Sequence, residues 1–301
     1  MDYSQLTGRG TIMNSVYFIR EDRDFTRTEQ KIINFIIENP ESFIHMTIGE
    51  VARHIGTSDP TISRFARHCG YDDFKGLKNS VFEHISGEGD HSPAGKLIST
   101  IGKLNSAAEE GAPGTPENFL RHQQFCIEKT LSFLNPAVLE QAVSAIINAD
   151  TIYLYAKGAA LSMAQLLDFR LRRFGIRTVI LPPGSSELFE YMNLFTKRDL
   201  VILFGFQKTP REAEVLLKYQ SETGFPCIFF TSRLYHSFSS ASDIITLYVY
   251  RGEPSDYHSM AAPAALLDAL VVMIGAKLEN SGENLDRLYQ LKEHYREDIP
   301  R

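Results

Sequence analysis

Cysteine is scarce in this chain: Cys69, Cys126 and Cys227 are the only three in 301 residues. Their wide separation and odd number exclude a disulfide framework and offer no metal-ligand spacing. No metal and no cofactor are therefore expected, and the setting expected is a reducing, cytoplasmic one. Long apolar runs are lacking too. Leu200–Phe206 and Pro263–Gly275 are too short or too interrupted to span a bilayer, so no membrane partner is expected. The start Met1-Asp2-Tyr3-Ser4 has none of the basic-then-apolar pattern of a secretory signal. Positive charge is not in excess either, since 31 Lys+Arg against 37 Asp+Glu leave a net charge of −6. Bulk electrostatics thus gives no sign of a nucleic-acid partner.

What is present is enough chain for two domains with separate cores. With 43% hydrophobic and 23% charged residues, the composition is that of an ordinary globular protein. Residues 1–24 read as a polar, irregular extension, and residues 25–85 show dense helical periodicity. Gly/Pro/Ser clusters near 86–93 and 111–116 mark residues 86–118 as linker, with room for a short helix over Lys96–Glu110. Helical patterning returns over 119–149. From 151 to 278 apolar, β-branched runs alternate with helix-length segments, the signature of a parallel βαβ sheet. The second domain is accordingly set at 119–280, with an amphipathic C-terminal helix in 281–301.

In the first domain, Thr26 and Glu29 have capping-box spacing, Ile32, Phe35 and Ile36 form one apolar face, and Asn39-Pro40 ends the helix. Thr47 and Glu50 repeat the box, followed by the stripe Ile48, Val51, Ala52, Ile55 and then Gly56 at a left-handed C′ position. Only Gly56-Thr57 separates this helix from Ser58, the expected N-cap of a third helix that turns Ile62, Phe65, Ala66 and Cys69 inward and ends at Gly70. Two short helices joined by so tight a turn meet the requirement of a helix-turn-helix, whose second helix lies in a DNA major groove. Its outward face carries Asp59, Thr61, Ser63, Arg64 and Arg67. Thr61 and Ser63 suit a base or a phosphate, and Arg64 suits bidentate contact to guanine. Local charge supports this more than the sum does. Residues 25–85 hold seven Lys/Arg against eight Asp/Glu, but between Thr61 and Lys78 the bases Arg64, Arg67, Lys75 and Lys78 outnumber Asp72 and Asp73. The expected DNA-binding residues are Thr47, Ser58, Asp59, Thr61, Ser63, Arg64, Arg67 and Lys75. A plain helical bundle that touches no DNA would share the same periodicity.

In the second domain, strands are expected at Thr151–Ala156, Thr178–Leu181, Leu200–Phe204, Pro226–Thr231 and Ile244–Tyr250. Helices are expected near Leu161–Phe174, Ser186–Phe195, Arg211–Glu222 and Leu234–Ser240. A doubly wound, mainly parallel five-stranded sheet follows, and such sheets bind ligands beyond the carboxyl ends of their strands. The loops that matter begin at Ala156, Pro182, Gly205, Ser232 and Arg251.

The string Ser58-Asp59-Pro60-Thr61-Ile62-Ser63-Arg64-Phe65, followed by Gly70-Tyr71 and preceded by the two capping boxes, resembles the DNA-binding domain of the RpiR/MurR regulator family. Thr57 departs from the apolar residue usual there. The second domain resembles the sugar isomerase (SIS) domain that follows in that family. Its loops diverge: Ala156-Lys157-Gly158-Ala159-Ala160 keeps one glycine of the first motif, and Gly205-Phe206-Gln207-Lys208-Thr209-Pro210-Arg211-Glu212 keeps only the glutamate of the second. The resemblance implies a transcriptional regulator that binds a palindromic operator as a homodimer or tetramer and senses a small effector, a phosphosugar or another small anion. Effector-binding candidates are Lys157, Gly158, Ser185, Ser186, Gly205, Gln207, Lys208, Thr209, Glu212 and Ser259. Ser185, Ser186 and Ser259 also suit plain helix caps. No acid–base pair stands out beside Glu212, His236 and His258, so catalysis is not expected. The alternatives are a sugar-phosphate isomerase and a SIS-type domain that only dimerises.

Overall fold

The computed structural model describes residues 17–19, 25–87, 93–109, 116–184, 186–207, 209–233, 244–252 and 256–299. The chain divides for the most part into two compact units, one ending at Gly102 and the other starting at Lys103.

The first unit is helical: α1 (Arg27–Glu38), α2 (Pro40–His45), α3 (Ile48–Ile55), α4 (Asp59–His68) and α5 (Phe74–Gly87). Both capping boxes form. The Thr26 and Thr47 amides donate to Glu29 Oε2 and Glu50 Oε2 at 2.8 and 2.7 Å. Gly56 takes φ 75°, and the Thr57 amide reaches back to the Ala52 carbonyl at 2.8 Å, closing α3 before the turn into α4. Asn39-Pro40 ends α1 as the sequence predicts, but Pro40 also opens α2, because the first turn of a helix has no use for the missing N–H. The core holds Ile32, Ile33, Ile36, Phe43, Val51, Ile62, Phe65 and Leu77, all fully buried. Phe18 and Ile19 lie in the same core. The polar, irregular extension expected over 1–24 is corrected at these two positions, which are buried in the core with Tyr17 packed against it.

After α6 (Pro93–Glu109), which occupies the middle of the expected linker, come α7 (Pro116–Phe133) and α8 (Pro136–Asn148). The second unit then builds β1 (Ile152–Ala156), α9 (Leu161–Arg173), β2 (Thr178–Ile180), α10 (Glu187–Met192), β3 (Leu200–Phe204), α11 (Arg211–Thr223), β4 (Cys227–Thr231), β5 (Ile244–Tyr248), α12 (Ala261–Lys277) and α13 (Ser281–His294). All strands are parallel, in the order β2-β1-β3-β4-β5. Strand alternation feeds two cores. Ile152, Leu154, Ile202, Phe204, Ile228, Phe230 and Leu247 face one side, with buried residues of α8, α9 and α12. Tyr153, Tyr155, Val201, Leu203, Cys227 and Phe229 face the other, with α10 and α11. Burial on both faces explains why the strands read as continuous apolar runs. Successive connections leave β1 toward opposite sheet edges, so the order switches between β1 and β3, the place where such sheets open a crevice at their carboxyl ends. The helix expected at Leu234–Ser240 lies outside the described residues. No single helix among the described residues is long and apolar enough to cross a membrane.

Candidate DNA-binding face and effector site

The α4 helix has two unlike sides. Ile62, Phe65 and Ala66 are fully buried, and each large side chain contributes roughly 2–3 kcal/mol by leaving water. Ser58, Asp59, Arg64 and Arg67 are exposed, and Thr61 and Ser63 are half-buried. Thr47, in front of α3, and Lys75, on α5, are exposed as well. The hydroxyls of Ser58 and Thr47 both already have a partner within the protein. Ser58 sits at the N-cap but makes no side-chain cap bond. Position N2 is Pro60, which has no N–H, and the N3 amide of Thr61 already bonds the Ser58 carbonyl at 2.9 Å. The Ser58 hydroxyl pairs instead with Thr61 Oγ1 at 2.9 Å. Thr47 Oγ1 donates to Glu50 Oε2 at 2.8 Å. Asp59 turns toward the first turn of α3, its Oδ2 only 3.6 Å from where a Cβ on Gly49 would stand, which suits a carboxylate beside a helix N-terminus. Arg64 and Arg67 therefore remain as the exposed cations of this face.

The other end of α4 is tied down. His68 Nδ1 lies 2.7 Å from Glu29 Oε1, and its ring packs on Phe25 with centroids 5.0 Å apart. Burial opposes ionisation of Glu29, but hydrogen bonds from Thr26 and His68 prevail and hold its carboxyl below the usual range. The same residue thus caps α1 and anchors α4.

In the second unit the structure brings Lys157 and Glu212 together across the switch point. Lys157 Nζ donates to Glu212 Oε1 at 3.0 Å, and the Tyr155 hydroxyl to Glu212 Oε2 at 3.0 Å. Gly184, from the loop after β2, stands so close that a Cβ there would lie 3.1 Å from Glu212 Oε1. A hydrogen bond to its own amide holds the Glu212 carboxyl below the usual range; burial opposes this, and Lys157 and Tyr155 reinforce it. Burial, then the acceptor Glu212, push the Tyr155 hydroxyl up. The lysine charge is thus already countered by a carboxylate at 3.0 Å.

The other candidates divide. Gly158 adopts φ 61° at the start of the turn before α9, a conformation that favours glycine. Gly205 is fixed by packing, because a Cβ would meet the Phe229 ring at 2.9 Å. Gln207 is half-buried, and its carbonyl accepts from Arg233 Nε at 2.7 Å. Thr209 is half-buried in front of α11. Ser186 precedes α10 in a helical conformation without a side-chain cap bond, so the cap expected there does not form. Ser259 does cap, its Oγ accepting from the Ala261 amide at 3.1 Å. Ser185 and Lys208 lie outside the described residues.

Sequence reasoning singled out neither Tyr155, hidden in an apolar strand, nor the side chain of Arg251. Arg251 Nε donates to the Ser259 carbonyl at 2.9 Å, Nη2 donates to the His258 carbonyl, and the guanidinium carbon stands 4.7 Å from the centre of the Phe206 ring. Burial pulls its pKa down to about 10. The position of Arg251 after the last strand was its one legible signal.

Residues 13–88 match the helix-turn-helix domain of the rpiR family, and residues 145–273 match the SIS domain. An uncharacterised HTH-type transcriptional regulator of Caldanaerobacter subterraneus subsp. tengcongensis is 25% identical over 282 residues, 89% of this chain and 95% of its own. One from Providencia stuartii is 24% identical over 74% of this chain and 76% of its own. Among solved structures, NanR of Vibrio vulnificus aligns with a TM-score of 0.52 at 17% identity, covering 89% of this chain and 93% of that one. The sugar isomerase domain of an RpiR transcription factor from Sphaerobacter thermophilus gives 0.54 at 23% identity, covering 58% and 98%. These likenesses show the fold. With an rpiR-family helix-turn-helix ahead of a SIS domain, the chain belongs to the RpiR/MurR-type DNA-binding transcriptional regulators.

Proposed function

We propose that α4 is the recognition helix of an operator-binding regulator and that the carboxyl edge of the SIS sheet senses a small carbohydrate-derived anion. The observation that carries the DNA half is the division of α4 into a buried apolar side and a polar side with Arg64 and Arg67 exposed. That side can enter a major groove with Ser63 and Arg64 at base edges, while Arg67 and Lys75 meet phosphates. Ser58, Thr61 and Asp59 act less as readers than as parts of the joint between α3 and α4.

Support for the sensing half comes from the switch-point loops. It also comes from the NanR neighbour, whose structure is a complex with ManNAc-6P. Effector binding gates DNA affinity only by as much as it favours one arrangement of the protein. Catalysis is not part of this reading, because Glu212 is engaged by Lys157 and Tyr155 rather than poised for proton transfer. Two copies present two recognition helices to a palindromic site. Val272 on α12, 70% exposed, and Phe169 on α9, 48% exposed, favour those helices as the pairing surface.

The test is selection of DNA from a random duplex pool by the full chain, followed by release from the selected duplex by a panel of sugar phosphates. Enrichment of a symmetric site and its release by one compound are expected. No enrichment would end the DNA reading, and no effect of any compound would end the sensing reading.

A further inference from the structure

Three adjacent parallel strands, β3, β4 and β5, end side by side, and residues one to three places past their ends make an unusual group. Phe206 follows β3, Ser232 follows β4 and Arg251 follows β5. The Ser232 amide bonds the Phe206 carbonyl at 3.0 Å, and the Arg251 guanidinium lies over the Phe206 ring. The Ser232 Oγ is buried and has no hydrogen-bond partner among the described residues. Arg251 spends Nε and Nη2 on two main-chain carbonyls. Among the described residues no carboxylate pairs with it, and the ionisable groups that act on it are Tyr257 and Cys126, both neutral near pH 7.

A guanidinium in such a place is costly unless something negative faces it. Carbonyls and a ring face spread its charge without cancelling it. Lys157, where the family resemblance directs attention, is in the opposite state, with its charge met by Glu212 at 3.0 Å. A second anion arriving at Lys157 would meet that carboxylate first. At Arg251 it would meet a cation that no described carboxylate compensates, fixed by two carbonyls and a ring, with the Ser232 hydroxyl past the end of the neighbouring strand. Preorganised guanidinium with a nearby hydroxyl is phosphate and carboxylate chemistry.

We propose that Arg251, assisted by Ser232, is the seat for the anionic group of the effector, and that Lys157 and Glu212 instead form a neutral pair facing its uncharged part. This deepens the sensing reading and rests on it. A sugar phosphate or sugar acid would then lie along the Phe206–Gln207 loop with its charge toward β5.

The probe is inorganic phosphate, titrated into the full chain and followed by 31P line broadening. Wild type is expected to broaden the signal. Arg251→Gln should weaken binding at least about tenfold, Ser232→Ala about threefold, and Lys157→Gln by less than about threefold. If Arg251→Gln does not fold, the Nε–Hε resonance of Arg251, assigned with Arg251→Lys, provides the second readout in wild type. It should move with phosphate, and a resonance unmoved at saturation overturns the proposal. Full binding by Arg251→Gln with loss in Lys157→Gln likewise overturns it, and leaves sensing intact. Absence of phosphate binding in wild type overturns the anion seat. In that case stabilisation by uncharged sugars in a thermal-shift screen preserves sensing, and its absence ends sensing too.

Discussion

Glu29 does two jobs with one carboxylate, and removing it separates them. Glu29→Ala deletes the Thr26 capping box, worth about 1 kcal/mol. It also deletes the 2.7 Å contact with His68, and a part-buried bond to a charged group adds roughly 1.5 kcal/mol. The helix-turn-helix unit should therefore lose about 2–3 kcal/mol, a melting shift on the order of 10–20 °C for a domain of this size. Glu29→Gln keeps an oxygen for the Thr26 amide and should cost about half of that. The sign of the pH effect follows from the lowered carboxyl pKa. The contribution is complete above the ordinary carboxylate value of about 4.3 and disappears as pH falls through the lower folded-state value. Wild type and Glu29→Gln should thus differ at neutral pH and converge on acidification. The assay is urea or thermal unfolding of the full chain, followed through the first transition across pH. Melting within about 2 °C of wild type for both variants would refute the linkage between α1 and α4.

Three further outcomes test the packing. Gly56→Ala meets nothing within 4 Å, so any cost is backbone strain at φ 75°; urea melts should show a loss of about 1–2 kcal/mol. Burial pushes the Cys227 thiol up to about 12, and burial with the Glu29 charge does the same to Cys69. Neither should react with an aromatic disulfide reagent at pH 8 until the protein unfolds, and rapid native labelling at either position would contradict their placement. Phe230→Ala removes a ring stacked on Phe204 at 4.8 Å in the centre of the sheet. It should cost the SIS unit about 3–5 kcal/mol and leave the first unit's melting unchanged.

How far the sequence could be read follows from the range of the forces involved. Local signals were legible. Thr26–Glu29, Thr47–Glu50 and Gly56 announce their caps within four residues, and five apolar runs announce five strands. Ser58 misled because its capping role depends on what Pro60 withholds and on where Thr61 points. Phe18 and Ile19 were missed because a short apolar run, here Val16 to Ile19, does not by itself say whether it is buried. The Lys157–Glu212 pair spans 55 residues and the Glu29–His68 contact 39. Such contacts exist only once the topology is built, and no spacing rule reaches that far. Arg251 shares this limit, since it is held by Ser259, His258 and Phe206, the last of them 45 residues away.

The polar edge of α4 is where the whole functional reading is most exposed to test. Affinity for the selected symmetric duplex should be measured for wild type and Arg64→Ala at several salt concentrations. If Arg64 reads a base, the substitution costs about 1–3 kcal/mol and relaxes preference at one position in each half-site. Equal affinity, equal salt slope and unchanged sequence preference would contradict the assignment of α4 to the groove.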